Sequence, residues 1–204
     1  TDILIFCLFA ASLHFLLGLG GLVSFGHAAF FGGGAYAAAL IVTYADAPME
    51  LALLLAPLGA GMAAVIIGWV CLRLTGVYFA MLTLAFAQLL WSLVFQWGEF
   101  TGGDDGLVGI WPSEWASGSL PMFYLTLVIC VGGILLMRHV AHAPFGYALR
   151  AARDSSRQAE ATGIHTKRVQ WAAFAFAGAM AGVAGGLFVF SKGSVFPNEL
   201  EIAR

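Results

Sequence analysis

Ser24 and His27, three residues apart, are the first pair in this sequence whose side chains could do chemistry. A serine hydroxyl held beside a histidine base becomes a nucleophile, and an intramembrane serine protease needs such a pair. In those enzymes the two residues lie on different helices and the serine sits in a GxSx pattern, whereas the residue two before Ser24 is Leu22. Paired carboxylates are also missing from every apolar run. The sequence therefore predicts that this chain has no catalytic site of its own.

Metal binding is the second chemistry to consider. His139 and His142 could supply half of a metal site, and the acidic run 104–106 resembles part of a calcium loop. No third or fourth ligand accompanies the histidines, and the acidic run lacks the alternating oxygen ligands of an EF-hand. We expect ordinary histidines beside a membrane, a turn at 104–106, and no metal or other cofactor.

The elements that must position the polar side chains are membrane helices. Hydrophobic residues make up 61% of the 204 residues and charged residues 10%, against roughly 25% charged in soluble domains. This composition predicts an all-α integral membrane protein, a single transmembrane domain over 1–204 with about six spans. There is no basic footprint for nucleic acid. We expect the chain to be part of a longer protein, truncated at both ends.

The glycine-rich stretch 18–34, GLGGLVSFGHAAFFGGG, surrounds Ser24 and His27 with seven glycines. Glycine lowers helix propensity, and non-helical backbone at membrane depth is tolerated only where it is buried in protein or lines a wet cavity. One interpretation is a broken or re-entrant helix at a translocation path, as in many transporters. The other is close helix packing through pairs of small residues.

Polar residues within the apolar runs are the candidates for a translocation path. Gln88 needs hydrogen-bond partners in hydrocarbon, so it either faces the path or bonds a neighbouring helix. Guided by polarity alone, we assign the path to Ser24, His27, Tyr78, Thr83 and Gln88.

The last apolar run contains a regular glycine pattern. Gly178, Gly182 and Gly186 repeat every four residues. This repeat predicts one smooth helix face for close packing.

Charge is distributed unevenly along the chain. Short loops rich in Lys and Arg stay on the cytoplasmic side, which places the loop 138–168 inside. The acidic insert 98–120 then lies outside, together with the N-terminus and 192–204. Five of the nine Lys and Arg residues fall within 144–170: Arg150, Arg153, Arg157, Lys167 and Arg168.

The basic loop carries signals for two short helices. Pro144 favours a first turn and predicts a helix over 145–152. Ser155 and Gln158 fit a capping box for a second helix over 156–162, and Gly163 suits the position after its end. Two short amphipathic helices along the membrane surface, within 144–164, are the expected result.

Four blocks of the sequence resemble one family. They are SFGHAAFFGGGAYAAAL (24–40), LTGVYFAMLTLAFAQ (74–88), FTGGDDGLVGI (100–110) and RAARDSSRQAEATGIHTKRVQWAAFAFAGAMAGVAGGL (150–187). In this order they resemble the LivM-type permeases of branched-chain amino-acid ABC importers. The TGG-x-DGL insert is closer to the LivM-like subunit than to its LivH-like partner.

The resemblance implies a transport subunit that does not itself bind ATP. Its implied partners are a LivH-like second permease, two ABC ATPase subunits and a periplasmic substrate-binding protein, in a bacterial or archaeal cytoplasmic membrane. Leu, Ile and Val are the implied substrates; importers of urea, short amides or other small solutes share the scaffold. A secondary transporter is a further alternative, but it usually carries ionisable residues in mid-span.

The resemblance also gives the basic loop a role. In ABC importers a cytoplasmic E-A-A-x-x-x-G loop forms a coupling helix that docks on the ATPase, and Glu160 to Gly163 keep a shortened form of it. The alternative is a loop that only anchors topology and anionic lipid. The coupling residues implied are Arg150, Arg153, Asp154, Arg157, Glu160, Ala161, Gly163 and Ile164.

Overall fold

The computed structural model describes residues 1–197 and, at Asp104, the backbone alone. The predicted outer segment 192–204 therefore lies partly outside the described residues. The α-helices are α1 Asp2–His14, α2 His27–Ala45, α3 Met49–Cys71, α4 Val77–Gln96, α5 Gly98–Thr101, α6 Ser119–His142, α7 Pro144–Asp154, α8 Ser156–Ala161 and α9 Thr166–Lys192. A π-helical turn, Phe15–Leu19, extends α1.

Six of these helices are long and apolar enough to cross a membrane: α1 with its extension, α2, α3, α4, α6 and α9. Apolar segments of this length fold as helices in a bilayer because every backbone hydrogen bond is then made within the segment. The prediction of an all-α integral membrane protein with about six spans is confirmed.

The last long helix, α9, lies at the centre of the bundle. In its most apolar stretch 72% of the residues are buried, whereas the corresponding share is 22% in α4 and 22% in α6. Helix α9 packs mainly against α3 and α2, with α1 on a further side. The described part of the chain is therefore organised around α9, and α4 and α6 lie at its periphery with few buried residues.

Small residues bring α9 close to α3. A Cβ on Gly182 would collide with Ala60, and one on Gly186 would lie 3.1 Å from the Cβ of Ala56. Close approach of this kind gains dispersion contacts along both backbones, which is the main attraction between helices in lipid. The two helices run antiparallel, and the facing pairs are Gly178–Ala64, Gly182–Ala60 and Gly186–Ala56.

The glycine-rich stretch divides into two parts. Residues 21–24 have no regular structure, residues 25–26 form a turn, and α2 begins only at His27. Gly21 has φ +63°, a left-handed conformation that favours glycine. Gly34 lies within α2 and faces the backbone of Gly182 so closely that a Cβ on Gly34 would collide with it. The stretch thus contains both an interruption of helical structure at 21–26, called the break below, and a surface for close helix packing at Gly34.

The bundle has a basic end and an acidic end. The basic end carries seven of the eight Lys and Arg residues within 1–197: Arg73, Arg138, Arg150, Arg153, Arg157, Lys167 and Arg168. The eighth, Lys192, lies at the acidic end and forms a 2.6 Å ion pair with Asp2.

The insert between α4 and α6 closes the acidic end. It contains α5, two 3₁₀ turns and strand β1 (Leu107–Val108), which pairs antiparallel with β2 (Ser194–Val195). Glu50, at the start of α3, accepts hydrogen bonds from Trp115 Nε1 and Ser113 Oγ. The strand pair was not predicted, because strands of two residues have no periodic signal.

Candidate functional site

A group of buried polar side chains surrounds the break at 21–26. Ser12 on α1 lies 2.8 Å from His27 Nε2, and the Ser12 hydroxyl also donates to the carbonyl of Phe9 at 2.7 Å. Because the Ser12 hydroxyl hydrogen is used in that bond, the proton between Ser12 and His27 belongs to the imidazole Nε2. His27 is 2% exposed, and this bond fixes the first residue of α2 against the last turn of α1.

Thr83 holds the break from the other side. Its Oγ1 accepts a 3.2 Å hydrogen bond from the backbone N–H of Phe25 and donates a 2.8 Å bond to the carbonyl of Ala80. A Cβ on Gly26 would collide with the carbonyl of Thr83, so glycine is needed for this approach. Helix α4 therefore supplies a polar clamp for a non-helical backbone N–H that has no partner within a helix of its own.

Ser24 is a buried residue of the break, and its Oγ makes no hydrogen bond to any described residue. His27 uses Nε2 to bond Ser12 rather than Ser24, and its Nδ1 also lacks a partner among the described atoms. Ser24 and His27 are thus not arranged as a nucleophile and its base. His27 instead joins the start of α2 to α1 through Ser12.

The structure brings together three of the five residues assigned to the path. Ser24, His27 and Thr83 are buried around the break. Tyr78, which is 72% exposed, and Gln88 lie on the outer surface of α4. Their assignment to a path stays a prediction. The sequence analysis missed Ser12, although it is one of two polar residues that interrupt the first apolar run.

A cavity of about 470 Å³ opens beside the break at the basic end. Its walls come from the break, the loop between α3 and α4, the first turn of α4, and α7. Phe25 and Phe79 line it, and the polar side chains of Thr75, Arg153 and Gln170 lie at its rim or wall. The cavity is mainly apolar and could hold a small aliphatic molecule.

Arg153 connects α7 to this cavity and to the break. Its guanidinium donates to the backbone carbonyl of Gly18 and pairs with Asp154 at 2.8 Å. The aliphatic stem of Arg153 covers Gly21, where any Cβ would meet Arg153 Cγ. The backbone on both sides of Leu19 is therefore in direct contact with α7.

Arg150 fixes the other side of α7. Its guanidinium donates to the carbonyl of Ala141 at 3.1 Å and stands 5.4 Å from the ring of Tyr147. The carbonyl of Ala141 belongs to the last turn of α6, where backbone acceptors lack intrahelical partners. Arg150 thereby caps α6 while holding α7 against it.

Helix α8 is closed at both ends by local hydrogen bonds. The Ser155 side chain accepts from the backbone N–H of Gln158. At the other end Gly163 has φ +87°, and the N–H groups of Gly163 and Ile164 bond the carbonyls of Glu160 and Ala159 at 3.0 Å. This pair of bonds is a Schellman motif, which fixes the end of the helix.

Glu160 links α8 to α9. Its Oε1 accepts a 2.7 Å hydrogen bond from the hydroxyl of Thr166, the first residue of α9. This bond joins α8 to the first residue of the central helix of the bundle. The exposed face of the helix pair carries Asp154, Arg157 and Ala161, whereas Ile164 is half-buried. Within residues 1–197 no three His, Cys, Asp or Glu side chains gather to hold a metal ion.

Comparison with known proteins gives this arrangement its family. A family model described as "Branched-chain amino acid transport system / permease component" matches residues 1–203. The high-affinity branched-chain amino acid transport system permease protein LivM of Escherichia coli (strain K12) is 27% identical over 231 aligned residues. The LivM protein of Salmonella typhimurium (strain LT2) is also 27% identical.

Both alignments cover 100% of this chain and 54% of the relative, so the chain spans about half the length of these curated relatives. No solved structure matches. The fold, with six membrane-spanning helices, agrees with the match of the family model over nearly the whole chain. This protein therefore belongs to the family of permease components of branched-chain amino acid transport systems.

Proposed function

We propose that this chain is the membrane-spanning subunit of an ATP-driven importer of branched-chain amino acids. The observation that carries the proposal is the contact of Arg153 on α7 with Gly18 and Gly21. Through this contact the predicted coupling segment reaches the non-helical backbone at 21–26, beside a mainly apolar cavity. The family and the names of the two relatives support the same role.

The proposed mechanism moves α7 and α8 as one unit. Their ends are fixed by Ser155, by Gly163 and by the two arginines that hold α7, so a force on their exposed face is transmitted without unwinding them. An ATPase that docks on Arg157 and its neighbours would displace Arg153, and with it Gly18 and Gly21. The break at 21–26 is the element that yields, because it lacks the regular hydrogen bonds of a helix.

Substrate choice follows from the cavity. Its apolar walls suit an aliphatic side chain, and nothing in them would pair with a charged side chain other than Arg153 at the rim. An α-amino acid such as leucine, isoleucine or valine combines an aliphatic body with two charged groups at one end. We propose that Arg153 and the carbonyls of the break meet those groups when the cavity is open to the basic end.

The exposed side of α4 is the proposed contact with a second permease. Gln88 lies on that side, and an amide that faced hydrocarbon would lose its hydrogen bonds with water at a cost of about 1–3 kcal/mol. A second permease on this face would give Gln88 partners and place Tyr78 at the path between the two subunits. Two ATPases at the basic end and a periplasmic binding protein at the acidic end complete the proposed complex, in a bacterial or archaeal cytoplasmic membrane.

The experiment is an affinity purification of the full-length protein from its own membranes, followed by mass spectrometry and uptake assays in liposomes. We expect a second permease, two ATPases and an amino-acid-binding protein to copurify, and leucine uptake to require ATP. Purification of the permease alone, with uptake that needs no ATP, would replace the proposal with a secondary transporter. ATP-driven uptake of urea or amides in place of leucine would keep the mechanism and correct the substrate.

A further inference from the structure

A second cavity at the basic end lies outside the proposed transport route. It measures about 460 Å³ and lies between the end of α3 and the start of α9. Three cationic side chains and two indoles line it: Arg73, Lys167, Arg168, Trp69 and Trp171. None of these residues belongs to the break at 21–26 or to α7 and α8.

The three cations of this cavity have no carboxylate partner in the described part of the chain. The ion pairs formed within residues 1–197 are Arg153–Asp154 and Lys192–Asp2. Arg73 instead stands 4.0 Å from the ring centroid of Trp69, an arrangement that fixes the guanidinium while leaving its N–H donors available. The first turn of α9 adds the partial positive charge of a helix N-terminus.

Specific contacts between α3 and α9 form the wall of this cavity. Trp171 Nε1 donates a 2.9 Å hydrogen bond to the carbonyl of Val65, which joins α9 to α3 beneath the cations. Gly68 makes the approach possible, since a Cβ there would lie 2.7 Å from Phe174 Cδ1 and 3.2 Å from Trp171 Cδ1. The indole hydrogen bond and the close approach at Gly68 thus join α3 and α9 at the wall of the cavity.

An apolar stripe leads from the cavity along the outer surface of α3. Leu58, Met62, Ile66 and Trp69 are 61%, 63%, 62% and 61% exposed, and their spacing of four, four and three residues puts them on one helix face. From Leu58 to Trp69 the stripe is about 16 Å long at 1.5 Å per residue, close to half of the roughly 30 Å hydrocarbon thickness. Arg73 follows four residues later, at the end of the stripe.

We propose that this cavity binds the headgroup of an anionic phospholipid. The phosphate would lie between Arg73, Lys167 and Arg168, and an acyl chain would follow the stripe on α3 across one leaflet. Basic pockets between helices on the cytoplasmic side, bordered by indoles at the interface, suit such headgroups. An acidic surface of a soluble partner would fit the cations but not the apolar stripe, which lies within the bilayer.

The test uses the full-length protein, as extracted with any partners, in nanodiscs of equal phosphatidylglycerol and phosphatidylcholine. The lipid that copurifies after transfer to mild detergent is identified by native mass spectrometry. One variant, Arg168→Gln, removes one arginine charge from the cavity. The matched control, Arg138→Gln, removes one arginine charge from the same membrane end but outside the cavity.

We expect the wild-type protein and the control to retain phosphatidylglycerol in excess over phosphatidylcholine. The cavity variant should lose most of this excess, about fivefold or more for each charge removed. Equal retention by all three proteins, or equal loss in both variants, would overturn the proposal. Loss of copurifying ATPase from the cavity variant with lipid retention unchanged would also overturn it and assign the cations to a protein partner.

Discussion

Arg153 on α7 donates a hydrogen bond to the carbonyl of Gly18, 135 residues earlier in the chain, at the end of α1. The same side chain covers Gly21, the first residue of the non-helical break. One arginine therefore joins the predicted coupling segment to the backbone that borders the cavity beside the break. Four predictions concern this connection and the packing that supports it.

The first prediction is that Arg153→Ala uncouples transport. The variant loses both the bond to Gly18 and the cover over Gly21, so displacement of α7 no longer moves the break. We expect leucine uptake by the reconstituted complex to fall about tenfold, within the usual range of coupling between sites, while ATP hydrolysis stays nearly unchanged. Arg138→Ala, which removes a cation from α6 at the same end, is the control. A similar uptake by Arg153→Ala and wild type would remove Arg153 from the mechanism.

The second prediction concerns the clamp on the break. Thr83→Val keeps the shape of the side chain but removes the acceptor of the Phe25 N–H, and leaving that donor unsatisfied costs about 1–3 kcal/mol. We expect faster amide hydrogen exchange in 21–26 with little change in α4. Thr126→Val is the matched control, since Thr126 is fully buried and bonds only the carbonyl of Met122 in its own helix. Equal exchange in the two variants would show that Thr83 does not hold the break.

The third prediction tests the packing of the central helix. Gly182→Ala puts a methyl group where the Cβ of Ala60 already lies, and overpacking of this kind costs about 1–3 kcal/mol. The melting temperature of the detergent-extracted protein should fall. Gly132→Ala on α6 makes the same change in open space, so it should leave the melting temperature unchanged or raise it. Equal melting temperatures for the two variants would show that close packing at Gly182 does not stabilise the bundle.

The fourth prediction concerns the end of α8. Gly163 has φ +87° with open space around its Cβ position, so Gly163→Ala is penalised by backbone conformation alone, about 1–2 kcal/mol. We expect faster exchange of the Gly163 and Ile164 amides and weaker coupling in the uptake assay. Gly163→Asn should behave more like wild type, because asparagine tolerates the left-handed region. Identical exchange for the alanine and asparagine variants would contradict this reason.

The sequence by itself determined the membrane class, the number of spans and the local ends of the helices in the basic loop. Long apolar runs specify spans without help from the rest of the chain. Ser155 and Gly163 mark the ends of α8 through bonds to neighbours three to five residues away, so their effect is readable from the sequence. The predicted helix over 145–152 was slightly short, since α7 spans Pro144–Asp154.

Only the tertiary structure decided which side of each span is buried. In a membrane both the lipid-facing and the protein-facing sides of a helix are apolar, so hydrophobic periodicity cannot tell them apart. For this reason polarity grouped Thr83 with Gln88, although the first clamps the break and the second faces outward. The contact of Arg153 with Gly18 joins residues 135 positions apart, and no local pattern encodes such a distance. The packing of α7 against α6 and against the π-helical extension of α1 brings that arginine to Gly18.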